Sequence, residues 1–114
     1  MDSAPVLSYS PLSGRNPWSV AAPGTAYDRW SRALKDALKH IGRFAPDALV
    51  VSLGIDAYKD DPISFFKLES ANFTDCGRQI AQAKKPTLFV MEGGYAIDDN
   101  GVNTVNVLEG FLGV

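Results

Sequence analysis

The run at residues 48–53, ALVVSL, constrains the fold more than any other stretch. It is apolar except for Ser52 and rich in Val and Leu. Apolar runs of this length read as strands buried on both faces of a parallel sheet. Pro46-Asp47 precedes the run and Gly54 closes it, so both ends carry breaking residues. Asp56 then stands just beyond the strand's carboxyl end. In open α/β sheets that is the edge at which ligands bind. Asp60 and Asp61 follow in the same loop. A carboxylate on such a rigid base suits a metal ligand or a general base, and equally a turn or a helix cap.

A second run at residues 87–91, TLFVM, reads as another buried strand. It leads directly into Glu92-Gly93-Gly94-Tyr95. Helical patterns surround both strands. Tyr27, Trp30, Leu34, Leu38, Ile41 and Ala45 recur at helical spacing, and Thr25 with Asp28 has the form of a capping box. Pro46 ends this helix at or before Ala45. His40 falls on its polar flank. Ser70 is placed to cap a second helix over 71–83, with Phe73, Cys76, Gly77, Ile80 and Ala81 inward. Gly77 costs that helix about 1 kcal/mol relative to Ala unless a close packing contact uses it. Val102, Val105, Leu108 and Leu112 predict a closing helix that packing must hold.

The predicted order is helix, strand, helix, strand, helix. Strands joined by a helical crossover are parallel, so both end on one edge of the sheet. Asp56 and the 92–95 turn are thereby expected on the same side. Residues 62–68, PISFFKL, lack alternation and read as a loop with Phe65 and Phe66 as core anchors. Residues 1–23 are rich in Pro, Ser and Gly and read as an irregular segment, with Trp18 and Val20 packing onto the body.

With 114 residues, the chain suits one domain. Its net charge of −2 gives no electrostatic case for nucleic acid or an anionic membrane. Cys76 and His40 are the sole residues of their types, which rules out an intrachain disulfide and a Cys/His zinc site built from one chain. Cys76, on the inward face, reads as a small core residue. The start lacks the pattern of a secretory signal, and no stretch approaches the ~20 apolar residues of a membrane helix. A soluble, cytoplasmic protein is expected.

The Gly93-Gly94-Tyr95 turn admits three readings: a phosphate cradle at a helix start, a tyrosine offered to a developing oxyanion, or a plain tight turn. It lacks the G-x-G-x-x-G spacing and the Gly-Lys-Ser/Thr of a phosphate loop.

Gly54-Ile55-Asp56-Ala57, then Asp61-Pro62, then Glu92-Gly93-Gly94-Tyr95 resemble the C-terminal part of the zinc-dependent histone deacetylase superfamily. The longer PDALVVSLGIDAYKDDPISFFKL with VMEGGYAID is most similar to its acetylpolyamine amidohydrolase branch. The resemblance runs from about residue 23 to 112. It implies an α/β fold, here part of a three-layer structure with a parallel sheet and flanking helices. It also implies hydrolysis of acetylated amines, acetylpolyamine or acetyl-lysine, to acetate and free amine. By the same resemblance Asp56 matches an aspartate ligand of the catalytic zinc. Tyr95 matches the tyrosine that polarises the acetyl carbonyl. Gly93 and Gly94 border the acetyl group, and Ile63 lines the substrate channel. The family's Asp-x-His ligands and tandem histidines are absent from these residues. The chain thus looks like the last third of such an enzyme with a different or truncated start, holding no catalytic zinc and inactive alone. The rival readings are a non-enzymatic, self-associating α/β module and a phosphate- or nucleotide-binding domain. Two strands with apolar faces and only three helices predict a homo-oligomer.

Overall fold

The computed structural model describes residues 26–56, 58–62 and 67–114. Within them the order is α1 (Tyr27–Phe44), β1 (Leu49–Leu53), α2 (Ser70–Ala81), β2 (Thr87–Met91) and α3 (Ile97–Leu112). The strands pair in parallel, Leu49 opposite Thr87 through Leu53 opposite Met91. The predicted order and strand direction therefore hold. The expectations for residues 1–23, Thr25, Ile63, Phe65 and Phe66 lie outside the described residues.

Each helix ends for a local reason. At the close of α1, Ala45 adopts the left-handed conformation (φ 55°), and its N–H bonds to the carbonyls of Ile41 and Gly42. Pro46 disfavours further helix. The residue at the α1 N-cap is Ala26, which offers no side-chain cap. Helix α2 starts one residue before the predicted span. Ser70 is its first residue, and Glu69 stands at the cap position. The Asn72 side chain accepts the Glu69 N–H at 2.8 Å, which satisfies the reciprocal half of a capping box.

The core lies on one face of the sheet. Leu53, Ile55, Tyr58, Leu68, Phe73, Cys76 and Val107 form its buried cluster, with Tyr27, Trp30, Leu34, Phe89 and Ala96 packed around it. Phe89 of β2 meets Phe111 of α3 edge-on, ring centroids 5.2 Å apart. Helices α2 and α3 cross closely at two glycines. A Cβ on Gly77 would stand 2.0 Å from the Val107 carbonyl oxygen, and one on Gly110 would stand 1.9 Å from that of Thr74. The close packing contact that justifies a mid-helix glycine at 77 is thus present.

Two expectations are corrected. The strands are not buried on both faces. Val50 is 70% exposed and Leu88 60%, with Val90 beside them on the same face. Among the described residues the three helices lie on the face bearing Leu53 and Phe89. The stripe Val102, Val105, Leu108 and Leu112 that predicts α3 is also exposed. The helix instead buries Asn103, Val107 and Gly110. Only that small-residue side permits the close approach to α2.

A polar cluster joins α1 to α2. The Tyr27 hydroxyl donates to Asp75, and Gln79 Nε2 donates to Ser31 Oγ at 3.0 Å and to Asp75 Oδ2 at 2.8 Å. The hydrogen bond from Tyr27 holds the Asp75 carboxyl below its ordinary range. Burial, and then the bond to Asp75, push the Tyr27 phenol above its own. A carboxylate with a lowered folded value contributes stability above the unfolded value of about 4, and this is lost as pH falls through the folded value. Acid is therefore expected to weaken the α1–α2 junction. Thermal denaturation from pH 6 to pH 2.5 should show a decline in melting temperature that Asp75→Asn flattens.

Candidate functional site

The β1–β2 ladder continues past both strands. Glu92 N–H bonds to the Leu53 carbonyl at 3.0 Å, and Ile55 N–H bonds to the Gly93 carbonyl at 2.9 Å. This fixes Gly54 and Ile55 alongside Glu92 and Gly93. Asp56, the next residue outward on one segment, and Tyr95, two residues beyond Gly93 on the other, share one edge as the β-α-β order predicts.

The two glycines make the juncture tight. A Cβ at Gly93 would lie 2.7 Å from Asp56 Oδ2 and 3.0 Å from its Cγ, so the carboxylate rests directly over the Gly93 backbone. Gly94 has φ +146°, and a Cβ there would meet Ile55 Cγ1 at 2.5 Å. Ile55 is 1% exposed and has no room to yield. Gly94 is thus required by conformation and by space. Tyr95 follows with its side chain half exposed, open to a ligand.

The remaining carboxylates of the loop do not join Asp56 in a metal cluster. Asp60 pairs with Lys59 at the surface, Nζ to Oδ2 2.9 Å, and that bond lowers the Asp60 carboxyl's affinity for a proton. Asp61 turns inward, and its Oδ2 accepts the Tyr95 N–H at 2.6 Å. Among the described residues no group of three or more His, Cys, Asp or Glu could hold a metal ion. Cys76 is buried, and burial pushes its thiol up to about 12, so it is a core residue rather than a nucleophile.

The α3 start also bears on the phosphate reading. Asp98 and Asp99 occupy its first turn. Their charges meet the positive end of the helix dipole and oppose an anion there. Two anchors of the site escaped sequence reasoning. Asp61 belongs to the motif Asp61-Pro62, and its position after a strand suggests an oxygen ligand rather than a partner for a backbone amide. Asn100, whose Nδ2 donates to the Gly94 carbonyl at 2.8 Å, carried no signal beyond its position near a helix start.

These motifs sit on a family fold. The model of the histone deacetylase domain matches residues 13–111, and the chain belongs to that family. It is 54% identical over 92 residues to acetylpolyamine amidohydrolase 1 of Pseudomonas aeruginosa, covering 81% of this chain and 27% of that protein. It is 51% identical over 90 residues to the acetylpolyamine amidohydrolase of Mycoplana ramosa, covering 79% and 26%. Among solved structures, the acetylpolyamine aminohydrolase of Burkholderia pseudomallei superposes with a TM-score of 0.79 at 38% identity, covering 82% of this chain and 27% of that one. The chain thus spans about a quarter of the length of these relatives. No helix among the described residues is long and apolar enough to cross a membrane.

The two glycines should respond differently to Ala. Gly94→Ala combines left-sided backbone strain with a clash against the core, and is expected to cost about 1–3 kcal/mol. Gly93→Ala meets only the movable end of Asp56. Urea unfolding should show a large loss for the first and a small one for the second. The Asp56 carboxyl carbon resonance should move in Gly93→Ala.

Proposed function

We propose that this chain supplies the carbonyl-polarising part of an amidohydrolase site that converts acetylated amines, acetylpolyamines in the first place, to acetate and free amine. One observation carries the reading: Asp56 and Tyr95 are brought to one sheet edge by a ladder that runs past both strands, with Asp56 seated on Gly93. The amide carbonyl would lie against the Gly93-Gly94 backbone. Water adds to the carbonyl carbon and gives up the proton that the leaving amine later takes, while the carbonyl oxygen takes up the negative charge. The Tyr95 hydroxyl donates a hydrogen bond to that oxyanion. Collapse expels the amine, which takes a proton, and leaves acetate.

Catalytic zinc ordinarily needs three protein ligands and an open position. The described residues offer Asp56 and no cluster around it, so they do not by themselves fit the metal that the family resemblance implies. With one histidine in 114 residues, the chain also lacks the tandem pair that the family resemblance implies. We infer that it neither retains catalytic zinc nor hydrolyses acetylated amines alone.

The test is reconstitution. Acetylputrescine hydrolysis would be measured for this chain, for the part of the Pseudomonas relative that lies outside the matched quarter, and for the two mixed. Only the mixture is expected to turn over. Tyr95→Phe should lower its kcat by about 100- to 1,000-fold, the usual cost of one oxyanion donor. Calorimetric zinc titration of the chain alone should show no tight stoichiometric binding. Turnover by the isolated chain, lost in both Asp56→Ala and Tyr95→Phe, would overturn the reading.

The bare sheet face favours a second property, self-association. Val50, Leu88 and Val90 form a contiguous apolar surface on paired strands whose edges are unpaired among the described residues. Such faces and edges drive association. Light scattering at micromolar concentration should give a dimer or larger, and Val50→Lys with Leu88→Lys should shift it toward monomer. A wild-type monomer would refute the idea.

A further inference from the structure

Gly94 and Tyr95 share one peptide plane, and side chains from two other elements hold both of its polar groups. Asp61, in the loop after β1, accepts the Tyr95 N–H at 2.6 Å. Asn100, in α3, donates to the Gly94 carbonyl at 2.8 Å. Neither partner is adjacent in sequence to the peptide it grips. Asp61 is itself fixed: it is 6% exposed, and its own N–H bonds to the Tyr58 carbonyl at 3.1 Å.

We propose that Asp61 and Asn100 are positioning residues that lock the 94–95 peptide in one orientation and thereby set where Tyr95 stands relative to Asp56. The proposal rests on the reading of Tyr95 as the oxyanion donor. It assigns Asp61 a task different from metal ligation.

The need for a lock follows from the glycines. Turning the 94–95 peptide about its long axis changes ψ at Gly94 together with φ at Tyr95, and a glycine at 94 leaves the first of these open on both sides of the Ramachandran map. In the observed orientation Gly94 is at φ +146°. Half a turn would aim the Gly94 carbonyl at the Asp61 carboxylate and the Tyr95 N–H at the Asn100 amide nitrogen. The Asp61 contact would change from attractive to repulsive, whereas the Asn100 amide would have to turn over to offer its Oδ1. A hydrogen bond to an ionised acceptor is about twice as strong as a neutral one, so Asp61 is the dominant member. An oxyanion donor acts through pre-set placement, and an error of ~1 Å is enough to forfeit much of its effect. The clamp also ties the loop after β1, the loop after β2 and α3 together at one point. The carboxylate end of the site and the phenol end therefore move as a unit.

The test uses the 15N-labelled chain and reads hydrogen exchange at the Tyr95 amide, with the β1–β2 ladder amides as the measure of global stability. In the wild type, Tyr95 N–H should exchange slowly despite its half-exposed side chain. Asp61→Asn should accelerate that exchange by about ten- to one-hundred-fold, the expected effect of losing one charge-assisted bond. Ladder amides should change far less. Asn100→Asp, which places a carboxylate against the Gly94 carbonyl and favours the first turns of a helix, should do the same without unfolding the chain. Tyr95→Phe should leave the amide as it is. Equal acceleration at Tyr95 and at the ladder would show that the two residues merely stabilise the fold, and would overturn the proposal. So would unchanged Tyr95 exchange in both variants. In the reconstituted hydrolysis assay, Asp61→Asn and Asn100→Asp should lower kcat with KM little altered. If Tyr95→Phe leaves turnover intact while the amide responds as expected, the reading of Tyr95 fails and the clamp stands. If Tyr95→Phe abolishes turnover while the clamp variants change neither readout, the clamp fails and the reading stands.

Discussion

The parallel pairing of β1 with β2 is the constraint on which the rest depends. A helical crossover forces the two strands to run the same way, and the same direction puts both exits on one edge. Here the ladder extends further, through Glu92 to Leu53 and Ile55 to Gly93. Two loops that would otherwise wander are zipped together for two more residues. Everything chemical about the site begins where that zipper ends. Asp56 lies on Gly93, and Asp61 and Asn100 take up the N–H and carbonyl of the peptide that leads into Tyr95.

A second constraint sits behind the first. Helices α2 and α3 approach until backbone nearly touches backbone, at Gly77 against Val107 and at Gly110 against Thr74. That crossing seats the second half of α3, and Asn100 in its first turns reaches back to the loop after β2. The glycines that weaken each helix in isolation thus hold the site's outer wall in place. The cost is an apolar surface that nothing among the described residues covers. Val50 and Leu88 on the sheet, and Val102, Val105 and Leu112 on α3, remain exposed. This fits a chain matching about a quarter of the length of its amidohydrolase relatives. A quarter of such a domain carries one edge of the site and one covered face of the sheet.

The sequence was legible where local rules act alone. Strand β2 stands at the predicted residues, β1 within one, and Pro46 ends α1 where the steric rule requires. The motif 92–95 could be placed at a strand end and paired with Asp56 from connectivity alone. Legibility failed where a residue's role depends on what approaches it. The apolar stripe of α3 predicts a helix correctly and its buried side wrongly, because the glycine side docks. Asp61 and Asn100 are ordinary in sequence, and their meeting at one peptide depends on three elements packing at once.

The sequence by itself determined the alternation of helix and strand, the shared edge for Asp56 and Tyr95, and the family to which those motifs belong. Periodicity, breaking residues and crossover handedness are local or topological, and a chain encodes them without knowing its neighbours. Only the tertiary structure decided which helix faces are buried, which carboxylate faces Gly93 and which grips the Tyr95 amide. Those outcomes depend on close contacts between segments far apart in sequence. Such contacts exist only once Gly77, Gly110, Gly93 and Gly94 have let the backbones close.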